Sequence, residues 1–199
     1  MFTGIIQAVG KIEALTPQGG DLRLSIGTGN LPIQDVNVGD SICVSGCCLT
    51  VITKRDKSFD ADVSKETLSL TSLGDLKAGS PVNLEKSLTL STPLSGHLVS
   101  GHVDGLGIIK SRREEARSVR FDIQVPANIK KYVAHKGSVC VDGVSLTVNA
   151  VTDDLFDVNI IPHTLSHTIC GSYQPGSRVN LEVDVVARYV ERLLTGHTP

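Results

Sequence analysis

Two side chains of this sequence have the chemistry and the neighbours that proton transfer or nucleophilic attack would need. Cys48 follows a glycine turn and precedes the hydroxyl of Thr50, and His102 follows the flexible Gly101. A thiolate is a nucleophile, and an imidazole transfers protons near neutral pH. A structural role stays open for both, because a free cysteine is most often a small buried hydrophobe and a single histidine most often a surface or hydrogen-bonded core residue.

Metal and nucleotide chemistry are not predicted. His163 and His167 would share one face only in a helix and have no third ligand, and the spacing of His97 and His102 matches no metal pattern. The glycine-rich stretch 101–107 is not placed between a parallel strand and a helix, as a dinucleotide fingerprint would be. No Walker motif, GxSxG elbow or HExxH occurs. We therefore expect no metal ion and no dinucleotide cofactor.

The five cysteines predict a reducing compartment. Their number is odd, Cys47 and Cys48 are adjacent, and no CxxC pair occurs, so neither a disulfide framework nor structural zinc is favoured. The opening residues lack a basic region followed by an apolar core. We expect reduced thiols and a cytoplasmic protein.

Composition restricts the partners. The 199 residues include 19 Lys and Arg against 21 Asp and Glu, giving a net charge of −2, and 40% are hydrophobic. This balance predicts an ordered chain without an electrostatic footprint for nucleic acid. Aromatic residues make up only 4% and tryptophan is absent, which disfavours base-stacking surfaces. No apolar run reaches the length of about 20 residues that a membrane helix needs, so neither nucleic acid nor membrane is an expected partner.

The elements that must position Cys48 and His102 repeat along the chain. The stretch 46–51 returns as 143–148, and 82–85 returns as 179–182, at a constant offset of 97 residues, the difference between 143 and 46. A gapless register over most of 97 residues predicts two copies of one domain. We expect domain one at 1–97, domain two at 98–186 and a C-terminal helix and tail at 187–199.

Each copy is predicted to be all-β. Short β-branched or alternating runs separated by glycine turns indicate a small closed barrel. Helical turns are expected near 64–70 and 128–134. Apolar residues at helical spacing predict a longer helix over 183–194, either covering the second barrel or mediating self-association.

Positions where the two copies differ in polar residues indicate where one copy has specialised in function. Cys48 corresponds to Ser145, Glu66 to His163, Ile5 to His102, and Ser87 to Asp184. The matched glycine and aliphatic positions need only turn and packing explanations.

Several motifs resemble the riboflavin synthase family of the α-subunit type. They occur in the family's order over essentially the whole chain: 1–5, 46–51, 100–103, 136–138, 142–148, 161–164 and 179–184. The resemblance implies two tandem six-stranded Greek-key β-barrels with a C-terminal α-helix that joins a homotrimer. It implies dismutation of 6,7-dimethyl-8-ribityllumazine to riboflavin and 5-amino-6-ribitylaminopyrimidinedione, without a cofactor. Each barrel would hold one lumazine, with the working site between neighbouring chains. Association with lumazine synthase is left open.

The resemblance also implies the site residues. The first-barrel pocket would use Cys48, Leu49, Thr50, Asp62, Val63, Ser64, Lys65, Glu66, Thr67, Gly101, His102 and Val103. The second would use Gly4, Ile5, Ile6, Ser145, Leu146, Thr147, Ile161, Pro162, His163, Thr164, Leu165 and Ser166, with Lys136 reaching a neighbouring chain.

The catalytic assignments follow from the same resemblance. His102 is assigned to proton transfer, and Cys48 and Ser41 are expected near the reacting carbons. Their second-barrel counterparts are Ser145, Thr147 and Asp184, and Phe2 is expected to be an aromatic lid or stacking residue.

Two other classes of protein stay open. A non-catalytic lumazine- or flavin-binding carrier or antenna protein would share this fold. The intact stretches around Cys48 and His102 favour the enzyme over it. A structural or assembly protein would rest on the C-terminal helix alone and would leave the polar differences between the copies unexplained.

Overall fold

The computed structural model describes residues 1–196 and is built almost entirely from β-strands. The strands of the first half are β1 (Ala8–Gln18), β2 (Asp21–Gly27), β3 (Ser41–Val44), β4 (Cys47–Thr50), β5 (Thr53–Lys54), β6 (Ser58–Val63) and β7 (Pro81–Lys86). Those of the second half are β8 (Gly105–Glu115), β9 (Ser118–Gln124), β10 (Ser138–Val141), β11 (Val144–Thr152), β12 (Leu155–Ile160) and β13 (Arg178–Val183). The helices are α1 (Lys65–Leu70), α2 (Pro162–His167) and α3 (Val185–Thr195).

The second half forms the predicted closed barrel. Its six strands follow the order β10-β11-β12-β9-β8-β13, and β13 pairs back to β10. Closure leaves no unpaired sheet edge. The two long connections, between β9 and β10 and between β12 and β13, carry short helical segments, including α2.

The first half has the same strand order, but one strand is divided and the sheet ends at β4 and β5 instead of closing as predicted. Its sheet follows the order β4-β3-β7-β1-β2-β6-β5, and the two edge strands are separated in sequence only by Val51 and Ile52. The corresponding strand β11 stays continuous but has a register shift between Val148 and Ala150. β5 is thus the second part of a strand whose first part is β4. The strand is interrupted at the position where its counterpart β11 has a bulge.

Each half has its own core. Phe59 is fully buried in the first, and its counterpart Phe156 is buried in the second. The alternation of buried and exposed positions that predicted the strands lets each sheet turn one face inward.

A local two-fold relation joins the halves, because the contacts between them occur in pairs related by the 97-residue offset. Phe2 and Val99 exchange backbone hydrogen bonds, with N···O distances of 2.7 and 3.1 Å. The Asn83 side chain donates to the Asp142 carbonyl at 2.8 Å, and the Asn180 side chain donates to the Ser45 carbonyl at 2.7 Å. The halves therefore pack as a pseudo-symmetric pair.

The C-terminal helix α3 begins at Val185, inside the segment that the sequence assigned to the second barrel. None of its residues is buried, so the interpretation as an apolar cover for the barrel is wrong. Ion pairs from Arg188 to Asp104 and from Glu191 to Lys131 attach it to the second half instead. Residues 197–199 of the predicted helix and tail at 187–199 lie outside the described residues.

Among the helices of residues 1–196, none is both long enough and apolar enough to cross a membrane.

Candidate functional site

A pocket opens where the first half meets the start of the second. Its volume is about 560 Å³, and it is open to solvent. Its walls come from strand β4, from α1 and the residue after it, and from the segment before β8: Cys47, Cys48, Glu66, Thr67, Leu70, Thr71, Gly101, His102 and Val103. Six residues assigned to the first-barrel pocket from the sequence lie together here.

Cys48 reaches this pocket through a tight turn and a close backbone contact. Ser45 and Gly46 adopt positive φ angles between β3 and β4, and the Cys48 amide donates to the Gly101 carbonyl at 2.8 Å. A Cβ on Gly101, whose φ is +79°, would lie 2.6 Å from Cys48 Cβ. Glycine is therefore required for this approach.

His102 is held in place through its backbone. The buried Glu182 carboxylate accepts hydrogen bonds from the amides of Ser100, Gly101 and His102 at 2.6, 2.9 and 3.0 Å. Burial raises the pKa of Glu182, although these three donors act in the opposite direction. The imidazole of His102 is exposed at the pocket wall, where it can exchange protons with a ligand and with water.

The opposite wall begins at a capped helix. Ser64 Oγ accepts from the Thr67 amide at 3.2 Å and caps α1, and the Lys65 amide donates to Asp21 Oδ1 at 3.0 Å. This start presents Glu66 and Thr67 to the pocket.

The same construction recurs around Ser145 with the halves exchanged. The Ser145 amide donates to the Gly4 carbonyl at 2.8 Å, and a Cβ on Gly4 would lie 2.6 Å from Ser145 Cβ. Glu85 accepts from the amides of Thr3 and Gly4 at 2.7 and 3.0 Å. Thus each half lends its leading segment to the site of the other.

Several residues assigned to the first pocket do not line it. Leu49 and Val63 are buried in the first core. Asp62 forms an ion pair with Arg23 at 2.8 Å on the surface. Thr50 is exposed beside Ser41 on the neighbouring strand.

Ser41 and Asp184 lie apart from the Cys48 pocket. Ser41 borders a separate polar pocket with Gln7 and Lys86. Asp184 caps α3 by accepting from the Val186 amide at 3.0 Å. In a single chain, neither side chain joins Cys48 and His102.

Phe2 differs from the expected lid. Its side chain is 0% exposed and packs with Cys43, Val99 and Cys140 between the halves. A Cβ on Gly101 would lie 2.9 Å from Phe2 Cε2. Because the ring is enclosed by the protein, it supports the pocket from beneath and has no free face for stacking.

The residues assigned to the second site form a more open surface. Ile6, Leu146 and Leu165 pack on the second core. The exposed residues of this set are Ile5, Thr147, Ile161, Pro162 and Ser166, and Thr164 is half-buried. Lys136 lies in an exposed turn with a φ of +63°.

His163 and His167 do share a helix face, on α2. Their rings stack with centroids 4.1 Å apart, and His167 Nδ1 lies 2.8 Å from the His163 carbonyl oxygen. Within residues 1–196, no group of three His, Cys, Asp or Glu side chains is placed to hold a metal ion.

Sequence reasoning missed His97, which was considered only as a metal ligand. Its Nδ1 atom lies 2.7 Å from Ser145 Oγ, and the side chain is buried. The signal available in the sequence was a histidine at the end of the linker, residues 91–97, which joins the two copies and which the repeat does not explain.

Comparison with known proteins agrees with this duplicated architecture. The lumazine binding domain model matches residues 3–87 and again residues 100–184. Riboflavin synthase of Photobacterium phosphoreum is 49% identical over 100% of this chain and 91% of its own length. Riboflavin synthase of Mycobacterium tuberculosis is 46% identical, with 98% of each chain covered.

Solved structures show the same fold. The crystal structure of LumP complexed with riboflavin matches with a TM-score of 0.82 and 26% identity, covering 92% of this chain and 99% of that one. LumP complexed with 6,7-dimethyl-8-(1'-D-ribityl) lumazine matches with a TM-score of 0.81, 24% identity and the same coverage. The two domain matches and the full-length identity establish that this chain belongs to the riboflavin synthase family and carries two copies of its lumazine-binding domain.

Proposed function

We propose that this protein is a riboflavin synthase acting on 6,7-dimethyl-8-ribityllumazine. One substrate molecule transfers a four-carbon unit to another, giving riboflavin and 5-amino-6-ribitylaminopyrimidinedione. The two products contain all the atoms of the two substrates, so the overall reaction consumes no oxidant or reductant. Full-length similarity to riboflavin synthases, at 49% identity with that of Photobacterium phosphoreum, carries this proposal.

The duplicated fold suits a reaction between two identical molecules. Holding both in fixed orientation makes the encounter effectively intramolecular, which can contribute about 7–11 kcal/mol to lowering the barrier. The donor and the acceptor nevertheless need different surroundings. The exchange of Cys48 for Ser145 and of Glu66 for His163 between the halves supplies such differences.

Proton transfer is assigned to the Cys48 pocket. Loss of a proton from the acidic 7-methyl group of one lumazine gives the carbon nucleophile that attacks the other. His102 stands exposed at the pocket wall next to Cys48, with its backbone fixed by Glu182. We assign His102 to proton transfer and Cys48 to a polar contact near the reacting carbons.

We further propose a homotrimer that completes the site between chains. Helix α3 exposes an apolar face to solvent: Val186, Tyr189, Val190 and Leu194 are each 49–74% exposed. A partner chain would cover this face and bring Ser41, Asp184 and Lys136 toward a second lumazine. The five free thiols are consistent with a cytoplasmic protein.

The decisive experiment is incubation of the purified protein with 6,7-dimethyl-8-ribityllumazine. We expect riboflavin absorbance to appear as lumazine is consumed, with one riboflavin formed for every two lumazines. Binding of lumazine without formation of riboflavin would instead establish a carrier or antenna protein. Absence of lumazine binding would contradict the proposed function.

Residue roles are tested by Cys48→Ser and His102→Gln. Each should lower steady-state turnover, and turnover within about twofold of wild type for both, well under 1 kcal/mol, would refute the assignment.

Assembly is tested by the native mass of the full chain and of a chain ending at Asp184. We expect three times the chain mass for the former and a smaller species for the latter. An unchanged trimer after truncation would show that α3 does not hold it together.

A further inference from the structure

His97 is fixed beside Ser145 by two hydrogen bonds. Its amide donates to the Thr3 carbonyl at 3.1 Å, and its Nδ1 atom lies 2.7 Å from Ser145 Oγ. Gly96 permits this approach, because a Cβ there would lie 2.1 Å from the Thr3 carbonyl oxygen and 3.1 Å from Ser145 Oγ. The linker is therefore packed against the second site.

The His97 imidazole has one buried nitrogen, Nε2, without a hydrogen-bond partner among the described residues. His97 as a whole is 8% exposed. Buried polar atoms without partners are rare and costly, so a retained one calls for a compensating role. Serving Ser145 through the other ring nitrogen is such a role.

The charge state of the ring is set by its surroundings. Burial lowers the pKa of His97, and the Asp184 carboxylate opposes this effect. The Ser145 hydroxyl contacts the ring at Nδ1, whereas the Thr3 carbonyl accepts from the backbone amide of His97. In a neutral ring, Nδ1 can accept a hydrogen bond donated by the Ser145 hydroxyl, which leaves the lone pairs of the serine oxygen free to accept from a ligand.

This arrangement distinguishes the two sites. Cys48 occupies the place of Ser145 in the first site, and within residues 1–196 no imidazole hydrogen-bonds to its sulfur. The linker thus gives one site a hydroxyl of fixed direction and leaves the other with a thiol at an open pocket.

We propose that His97 is a positioning residue of the second lumazine site. Its Nδ1 atom holds the Ser145 hydroxyl so that Ser145 Oγ accepts a hydrogen bond from a donor group of the bound molecule, such as a ribityl hydroxyl or a ring N–H. This inference rests on the proposed function and adds to it a reason why the two sites treat identical molecules differently.

A double-mutant cycle tests whether His97 acts through Ser145. His97→Leu and Ser145→Ala should each lower kcat/KM for lumazine at least tenfold, and the double variant should be no worse than the poorer single variant. His135→Leu, at an exposed histidine, is the control and should stay within twofold of wild type. Multiplicative losses in the double variant would overturn the inference.

Two further variants separate positioning from simple packing. His97→Asn places an amide where Nδ1 lies, and His97→Gln places it near Nε2. We expect His97→Asn to retain at least three times the kcat/KM of His97→Gln. Equal losses would overturn the inference, and this pair decides the question should His97→Leu fail to fold.

A readout independent of turnover is the ¹⁵N resonance of the His97 ring. Ser145→Ala should shift the Nδ1 resonance, and an unchanged resonance would overturn the inference. The wild-type assay separates the two proposals. An inactive wild type refutes the proposed function and this inference with it, whereas an active wild type with a fully active His97→Leu variant refutes the inference alone.

Discussion

Phe2 and Val99, which occupy equivalent positions 97 residues apart, pair with each other through two backbone hydrogen bonds at the junction of the halves. Both side chains are completely buried there, together with Cys43 and Cys140. The leading segment of each half is thereby fixed next to that of the other. The geometry of both candidate sites depends on this single junction.

Phe2→Ala should destabilise the protein and impair both sites. Removing a fully buried phenylalanine side chain costs about 3–5 kcal/mol in transfer and cavity terms. Urea unfolding measures the change, and Val38→Ala, at a valine that is 65% exposed, is the control with an expected change within about 0.5 kcal/mol. A Phe2→Ala protein as stable as the control would show that the junction does not hold the halves together.

Gly101→Ala should abolish the close contact between the leading segment and Cys48. The added methyl group would lie 2.6 Å from Cys48 Cβ, at a φ of +79° that alanine rarely adopts. We expect a loss of stability of more than 1 kcal/mol and a large drop in turnover. Gly105→Ala is the matched control, because its Cβ would meet only Pro126 at an ordinary 3.4 Å. Similar behaviour of the two variants in melting and turnover would contradict this account.

Glu182→Gln should displace His102 without touching its side chain. An amide can accept through only one oxygen, so at least one of the three backbone donors would face an NH₂ group. Loss of such a buried partner costs about 1–3 kcal/mol, and we expect kcat/KM to fall in parallel. Glu114→Gln, at an exposed carboxylate, should behave as wild type. Full activity of Glu182→Gln would mean that the segment is held by other contacts.

Asp142 should make stability depend on pH. Burial raises its pKa to about 7, although the Tyr173 hydroxyl and the Asn180 amide donate to it at 2.6 and 2.7 Å. Because the pKa in the folded state exceeds the value of about 4 in the unfolded state, its contribution is fully present below pH 4 and is lost as the pH rises through 7.

Asp142→Asn removes this titration while keeping a residue that tolerates the observed φ of +45°. The free energy of unfolding of the wild type should fall by a few kcal/mol more between pH 4 and 8 than that of the variant, since one pKa unit corresponds to about 1.4 kcal/mol. Urea titrations at the two pH values measure this difference. If the wild type and Asp142→Asn showed the same pH dependence, Asp142 would not be its source, and other buried carboxylates such as Glu85 and Glu182 would be.

The repeat predicted the fold closely because identical spacing leaves a strong signal. Both α1 and α2 fall at positions related by the offset, as do all the strands. The division of one strand at Val51 could not be predicted, since its counterpart Val148 has the same residue type and remains in a continuous strand. The difference depends on backbone pairing rather than on composition.

The site was predictable only in part. Cys48 and His102 stood out by residue type, but they line one pocket from positions more than 50 residues apart, which leaves no periodic pattern. The family resemblance supplied that pairing. Burial of Phe2 and the pairing of His97 with Ser145 depend on how the halves pack against each other. Such contacts have no local signature in either half.

The exchange of leading segments has an implication for the history of the chain. A single ancestral unit whose first residues complete the cavity of another unit would have been incomplete by itself, so association in pairs would have preceded fusion. Covalent linkage in one chain gives each unit a high effective concentration around the other. In a single chain, a substitution can change one cavity without changing the other, so two copies of one binding site can acquire different functions.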